Sequence, residues 1–183
     1  GTNFREAVLA SRIPSANFSV DLLITDKEID KSTGNRIGAL KYASQFEVPA
    51  LAFNGFRECG SYEKSRQSAQ AMAEYEERCL AFNTKLYRSI REHEERKGFA
   101  FNLLLLAGYM RLVRGDLLRG FKNRAINLHP AELISFGEGG RRKYTGDRAV
   151  YNALAGGEER TRSSVIMVDP ETDAGPILVS GPW

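Results

Sequence analysis

Short apolar runs alternate along the chain with amphipathic segments. Apolar runs of strand length, bounded by polar residues, recur at 19–25, 48–53, 101–107, 124–128, 164–168 and 177–179. Apolar residues recur at the three-to-four-residue spacing of a helix face at 37–46, 66–97, 112–121 and 147–154. Strands that alternate with helices predict an α/β fold, in which a Rossmann-like, mostly parallel sheet carries helices on both faces.

The longest amphipathic segment, 66–97, predicts a single helix that ends at Gly98. Its apolar stripe consists of Met72, Tyr75, Cys79, Phe82, Leu86 and Ile90. Segment 101–107 shows no alternation, which predicts a strand buried on both faces of a parallel sheet. The helix predicted at 147–154 has its apolar positions at Val150, Tyr151 and Leu154.

Composition narrows the functional classes. A chain of 183 residues predicts one domain over residues 1–183, and a net charge of +3 is too small to indicate a nucleic-acid partner. No apolar run approaches the ~18 residues of a membrane helix, and we expect no membrane partner. Two cysteines, with no secretory-type segment at the start, predict a cytoplasmic protein without a disulfide framework or a zinc site.

The two histidines differ in their sequence context. His93 lies in the polar end of the long helix, where we expect a solvated side chain. His129 follows a predicted strand and precedes Pro130, and Asn127 projects to the same side of that strand. The pair offers a hydrogen-bond donor beside a group that titrates near neutral pH. A purely structural pair, capping the strand and the turn, is the alternative.

Two aspartates are candidate partners of His129, because a carboxylate fixes the tautomer of an imidazole and supports proton transfer. Asp173 and Asp169 both lie in the turn-rich loop that follows the strand predicted at 164–168. Spacing alone does not separate them, and an ordinary turn aspartate remains the alternative for either residue.

Three motifs together resemble the folate-dependent formyltransferases, and within them the phosphoribosylglycinamide formyltransferases most of all. The motifs are Leu-Ala-Gly-Tyr-Met-Arg at 106–111, Ile-Asn-Leu-His-Pro at 126–130 and Asp-Ala-Gly-Pro-Ile at 173–177. The resemblance implies the catalytic residues Asn127, His129 and Asp173, with Ser164 in a supporting position. It also implies a phosphate-binding turn at Gly1, Thr2 and Asn3, and folate-binding positions at Met110, Arg111, Leu112, Val113 and Val168.

The implied reaction belongs to purine biosynthesis and transfers a formyl group from 10-formyltetrahydrofolate, a co-substrate, to the amine of glycinamide ribonucleotide. Both are small molecules; no metal is implied, and the protein is expected as a monomer or homodimer. The alternatives are a formyltetrahydrofolate hydrolase, a formyltransferase for another amine, and a non-catalytic folate- or nucleotide-binding module. A transfer-RNA formyltransferase is disfavoured because it requires a further RNA-binding domain.

Segment 137–146 departs from the family pattern because it is longer, glycine-rich and basic. It is either a mobile surface loop, a lid, or a source of phosphate contacts from Arg141, Arg142 or Lys143. The family alignment also places a first strand before Gly1 and a helical segment after Trp183. The expectation is therefore a catalytic domain that is incomplete at both ends.

Overall fold

The computed structural model describes residues 1–30 and 33–183 of the chain. These residues form two compact units, Gly1–Ser61 and Tyr62–Trp183. The elements of the first unit are α1 (Thr2–Ser11), β1 (Leu23–Thr25), α2 (Gly38–Gln45), β2 (Ala50–Ala52) and α3 (Gly55–Cys59). Strands β1 and β2 are parallel, and Leu23 pairs with Ala50. The predicted strands at 19–25 and 48–53 thus shorten to the three residues that pair with each other.

The second unit contains the larger sheet. Its elements are α4 (Tyr62–Ser65), α5 (Ala69–Lys97), β3 (Leu104–Leu106), α6 (Gly115–Gly120), β4 (Ala125–His129), a 3₁₀ turn (Glu138–Gly140), α7 (Ala149–Ala155), β5 (Ser164–Met167) and β6 (Ile177–Ser180). The strand order is β3-β4-β5-β6. Strands β3 and β4 are parallel, whereas β5 runs antiparallel to β4 and to β6.

The α/β class is confirmed, and parallel pairing holds for β1–β2 and β3–β4. The sheet of the second unit is mixed because β5 runs antiparallel to both β4 and β6, and β5 is joined to β6 by the short loop 168–176. Parallel neighbours need a crossover of a dozen or more residues, so a loop of this length returns the chain antiparallel.

Helix α5 confirms the predicted long helix and its end. The Ser68 hydroxyl accepts the N–H of Ala71 at 3.1 Å and caps the first turn, a contact typically worth about 1 kcal/mol. Gly98 ends the helix in the left-handed conformation, with φ 73°. Tyr75, Cys79, Phe82, Leu86 and Ile90 are all buried, as their spacing predicts.

Strand β3 corrects one expectation. Leu105 is 43% exposed, so the strand is not buried on both faces. Within the described residues β3 lies at the edge of the four-stranded sheet and pairs with β4 alone. The continuous run of leucines therefore predicted a strand correctly, but the prediction that both faces of this strand are buried was wrong.

His93 is buried, and the prediction of a solvated side chain was wrong. The chain reverses at Gly98 and returns beneath the end of α5, where the Phe101 ring stacks on the His93 ring at a centroid distance of 5.9 Å. The neighbouring Glu94 carboxylate accepts the N–H of Phe101 at 2.7 Å. This polar helix end is therefore part of the packing of the second unit.

Helix α7 buries small residues in place of the large ones. Ala149 and Ala153 pack in a buried cluster with Ala131 and Tyr144. Tyr151 is 67% exposed, and Val150 and Leu154 are also exposed. Alanines four positions apart leave room for the Tyr144 ring, and this tertiary contact overrides the hydrophobic pattern of the sequence. None of the helices in the described residues has the length and apolar character of a membrane span.

Candidate active site

Asn127 and His129 lie at the carboxyl end of β4, two positions apart, and their side chains reach the same carboxylate. Asn127 pairs with Leu106 of β3 and with Ile166 of β5, and His129 pairs with Ser164. The period-two alternation of a strand places both side chains on one face, as the sequence predicts.

Asp173 lies between the two side chains. The Asn127 Nδ2 group donates to Asp173 Oδ1 at 3.4 Å, and His129 Nδ1 lies 3.5 Å from Asp173 Oδ2. The backbone N–H of Gly146 donates to the same Oδ2 at 2.8 Å. The structure therefore brings together the three predicted residues, and the Asp173 side chain is only 10% exposed.

The path of the chain to Asp173 differs from that of a parallel sheet. Because β5 is antiparallel to β4, its carboxyl end lies beside Ile126, at the start of β4. Loop 168–176 then folds back toward Asn127 and His129. The return is tight at Gly175, where an added Cβ would lie 1.9 Å from the Met167 carbonyl oxygen.

Asp173 adopts a left-handed conformation, with φ 54°. Such a conformation costs a non-glycine residue about 1–3 kcal/mol, although aspartate tolerates it better than most residues. Its carbonyl oxygen accepts the Arg142 guanidinium at 2.6 Å. Both the backbone and the carboxylate of Asp173 are thus fixed by segment 137–146.

His129 is 3% exposed, and both of its ring nitrogens face polar partners. Nε2 lies 2.8 Å from the Tyr144 carbonyl oxygen, and Nδ1 faces Asp173. A carbonyl oxygen can only accept, so Nε2 carries a hydrogen. The Asp173 carboxylate opposite Nδ1 holds the other edge of the ring, so the imidazole is oriented from both sides.

Asp169 has a different role from Asp173. Its Oδ1 accepts the N–H of Glu171 at 3.0 Å, which is a local turn contact. Geometry therefore selects Asp173 as the partner of His129, a choice that the spacing in the sequence left open.

Ser164 is fully buried, and its hydroxyl donates to the Ala131 carbonyl at 3.0 Å. Ala131 follows the His129-Pro130 dipeptide, so this bond ties the chain leaving β4 to the start of β5. Ser164 thereby supports the backbone beside His129.

The predicted folate-binding positions lie on the loop that follows β3. The loop starts beside Asn127, because Leu106 and Asn127 are partners in the parallel pairing. Met110 is 51% exposed, whereas Val113 is buried. The Leu112 carbonyl accepts Asn83 Nδ2 at 2.8 Å, which anchors the loop to α5. The N–H of Val168 donates to the Ala125 carbonyl at 2.9 Å, next to the start of β4.

Arg111 is turned toward the protein. Burial raises the pKa of the Tyr75 phenol far above its ordinary value, the Cys79 thiol adds to this effect, and the Arg111 guanidinium opposes it. The side chain of Arg111 thus lies beside Tyr75 of α5.

The predicted phosphate-binding residues belong to the first unit. Gly1 occupies the N-cap position of α1, and Thr2 and Asn3 are exposed in its first turn. A Cβ on Gly1 would lie 2.8 Å from the Ala39 nitrogen, so only glycine fits this close approach to α2. A helix start of this kind presents backbone N–H groups that have no partner within the helix.

The sequence did not reveal the role of segment 137–146 in fixing the site. Tyr144 is buried and its hydroxyl donates to Glu158 at 2.6 Å, so the segment is anchored to the protein. The contacts to His129 and Asp173 come mainly from backbone groups of Tyr144 and Gly146, and a backbone group leaves no signature in a sequence. The basic character of Arg142 was the single visible signal.

Metal ligation has no geometric basis in the part of the chain that the structure describes. No group of three or more His, Cys, Asp or Glu side chains is arranged there to hold an ion. The donors around Asp173 are instead an amide, an imidazole and a backbone N–H.

Residues 1–181 match the formyl transferase family. The chain belongs to this family. A phosphoribosylglycinamide formyltransferase of Bacillus subtilis (strain 168) is 30% identical over 178 residues, covering 97% of this chain and 71% of that protein. The chloroplastic phosphoribosylglycinamide formyltransferase of Vigna unguiculata is 26% identical over 178 residues, covering 97% of this chain and 46% of that protein.

Solved structures of the formyl transferase family have the same fold. Glycinamide ribonucleotide transformylase 1 from Geobacillus kaustophilus aligns with a TM-score of 0.65 and 26% identity, covering 99% of this chain and 76% of that one. The chain thus spans about half to three-quarters of the length of these three relatives. The predicted family and its α/β fold are confirmed.

Proposed function

We propose that this formyltransferase transfers the formyl group of 10-formyltetrahydrofolate to the primary amine of glycinamide ribonucleotide. The observation that carries the proposal is the single carboxylate of Asp173 between the Asn127 amide and the His129 imidazole. The names of the relatives, phosphoribosylglycinamide formyltransferase and glycinamide ribonucleotide transformylase, support the choice of acceptor.

In the proposed reaction the acceptor amine attacks the formyl carbon and a new C–N bond forms. Negative charge then develops on the former carbonyl oxygen of a tetrahedral intermediate. The Asn127 amide has two N–H groups, of which one faces Asp173. Its second N–H donates to the developing oxyanion, a contact that typically contributes ~2.7–4 kcal/mol in the transition state.

His129 supplies a second donor and, with Asp173, assists proton transfer. The Nε2–H group, which lies against the Tyr144 carbonyl, exchanges this acceptor for the formyl oxygen when the substrate binds. Asp173 orients the imidazole ring through Nδ1. A proton passes from the attacking amine to the departing folate nitrogen as the old C–N bond breaks, which balances the reaction as formylated acceptor plus tetrahydrofolate.

The binding residues follow the same proposal. The backbone of Met110–Val113 binds the pterin edge of the folate, and Val168 lines the same ligand. The N–H groups at Gly1, Thr2 and Asn3 bind the phosphate of the acceptor, because a helix start favours an anion through its unpaired donors and partial positive charge. No metal takes part in the proposed mechanism.

One assay tests the proposal. The protein is incubated with 10-formyltetrahydrofolate with and without glycinamide ribonucleotide, and the appearance of tetrahydrofolate is followed. We expect release only when the acceptor is present. Release without the acceptor would indicate a hydrolase, release only with a different amine would indicate another acceptor, and binding without release would indicate a non-catalytic module. Each of these three results contradicts the proposal.

The cellular setting is proposed on the same basis. Purine synthesis from small soluble precursors suits the cytoplasm, while one relative carries the description chloroplastic. A monomer or a homodimer stays the prediction for the oligomeric state, and light scattering after size-exclusion chromatography measures it directly.

A further inference from the structure

Arg142 makes the most specific side-chain contact between segment 137–146 and the candidate active site. Its guanidinium donates to the backbone carbonyl of Asp173 at 2.6 Å, and the residue is half-buried. A charged donor and a short distance make this one of the stronger kinds of hydrogen bond. The bond joins two residues that are distant in sequence and close in space.

Asp173 needs such external support. Its left-handed backbone, φ 54°, is a conformation that persists in a non-glycine residue only when the surroundings hold it. Arg142 holds the carbonyl, and the N–H of Gly146 holds the carboxylate oxygen that faces His129. The two contacts come from the same segment and fix both ends of the residue.

Arg142 is itself held in place by the backbone around it. Phe136 and Arg142 form an antiparallel bridge, and the N–H groups of Gly137 and Lys143 donate to Arg141 and Ser135, each at 2.9 Å. The buried Tyr144 anchors the segment two residues further on. The guanidinium therefore projects from a braced turn, unlike a free surface arginine, whose side chain samples many rotamers.

We propose that Arg142 is a positioning residue that holds the Asp173 carboxylate against His129. It acts through Asp173 and touches neither substrate. The inference rests on the proposed function for the identity of the reaction, and on the contacts above for the positioning itself. Removing the guanidinium releases the Asp173 carbonyl, lets the backbone relax out of the left-handed region, and moves the carboxylate away from the imidazole.

The first test is independent of any substrate. The chain has two histidines, so a protein labelled with ¹⁵N-histidine gives ring signals for His93 and His129 alone. At fixed pH, Arg142→Ala is expected to shift the ring nitrogen signals of His129 and leave those of His93 in place. Arg148→Ala is the matched control, because Arg148 is an exposed arginine near the same segment and makes no side-chain cap contact with α7.

The second test uses the formyl-transfer assay. Arg142→Ala is expected to lower kcat by about 10²-fold, the loss typical of a displacement of ~1 Å, while KM for the formyl donor stays close to that of the wild type. Arg142→Lys keeps a cationic donor and is expected to recover part of the loss. A role confined to folding would lower the melting temperature and the yield without separating kcat from KM.

The outcomes of the two tests are distinguishable. Unchanged His129 signals in a folded Arg142→Ala protein overturn the inference, as does a kcat equal to that of Arg148→Ala. If Arg142→Ala does not fold, the same comparison is made with Arg142→Lys, for which a smaller shift of the His129 signals is expected and its absence is decisive. If wild-type protein transfers no formyl group, the proposed function fails, and the nuclear magnetic resonance result still decides whether Arg142 positions Asp173.

Discussion

Ser164 stands directly opposite His129 in the antiparallel pairing of β4 with β5. Its hydroxyl does not reach toward the imidazole but donates to the Ala131 carbonyl, on the chain that leaves β4. A small hydroxyl residue at this position therefore acts on the backbone next to the candidate active site. The family resemblance implied a supporting role for Ser164, and the structure shows which backbone group its hydroxyl binds.

Ser164→Ala is expected to lower the free energy of unfolding by about 1–3 kcal/mol, because it leaves the buried Ala131 carbonyl without its hydrogen bond. Denaturant unfolding measures the loss. Ser163→Ala, at an exposed neighbouring serine, serves as the control and is expected to change little. A Ser164→Ala protein with wild-type stability but a large loss of kcat would assign the hydroxyl to the reaction instead.

Substitutions of Asn127, His129 and Asp173 are expected to lower kcat. Asn127→Ala should lower kcat by about 10²–10³-fold through loss of one oxyanion donor. His129→Ala and Asp173→Asn should lower it by about 10²–10⁴-fold or more through loss of proton transfer. Folate binding, measured by fluorescence titration, is expected to stay largely intact. Near-wild-type formyl transfer by His129→Ala or Asp173→Asn would contradict the assignment.

The sequence predicts the site residues on strand β4 well and the site residue in loop 168–176 poorly. Asn127 and His129 follow from the alternation of side chains along a strand, which is a local rule. Spacing did not separate Asp173 from Asp169, and only the family resemblance selected Asp173, because the choice depends on the direction of β5 and on how loop 168–176 returns. Both are tertiary facts, and the left-handed conformation of Asp173 is one as well.

Burial was predicted correctly where one helix face dominates and incorrectly where neighbours decide. All residues of the α5 stripe except Met72, which is half-buried, are buried as their spacing predicts, since a long helix must cover one apolar face. In α7 the large apolar residues are exposed and the alanines are buried, because the Tyr144 ring packs on the face that bears Ala149 and Ala153. His93 is buried because Phe101 returns beneath it. Hydrophobicity along the chain carries no information about either of these contacts.

Gly175→Ala is expected to disrupt the loop that carries Asp173. An added Cβ would lie 1.9 Å from the Met167 carbonyl oxygen, a backbone atom of the residue whose N–H donates to the Pro176 carbonyl at 2.9 Å. We expect a loss of about 3 kcal/mol or more in unfolding free energy, together with low kcat. Gly137→Ala is the control, because its Cβ would meet nothing closer than 3.9 Å. Equal melting temperatures for the two variants would show that loop 168–176 is freer than this contact implies.

The Tyr75 phenol is expected to make the protein sensitive to alkaline pH. Burial raises the pKa of Tyr75 in the folded state above its ordinary value of 10.0, with Cys79 adding to the effect. Between pH 10.0 and the raised pKa, Tyr75 loses its phenol proton in the unfolded chain and keeps it in the folded protein. The stabilising contribution is therefore fully present below pH 10 and falls by about 1.4 kcal/mol per pH unit above it.

Unfolding by urea at pH 9, 10 and 11 measures this slope. Tyr75→Phe should flatten it, whereas Tyr151→Phe, at an exposed tyrosine, should leave it unchanged. A slope that survives in Tyr75→Phe would place the alkaline sensitivity at another group.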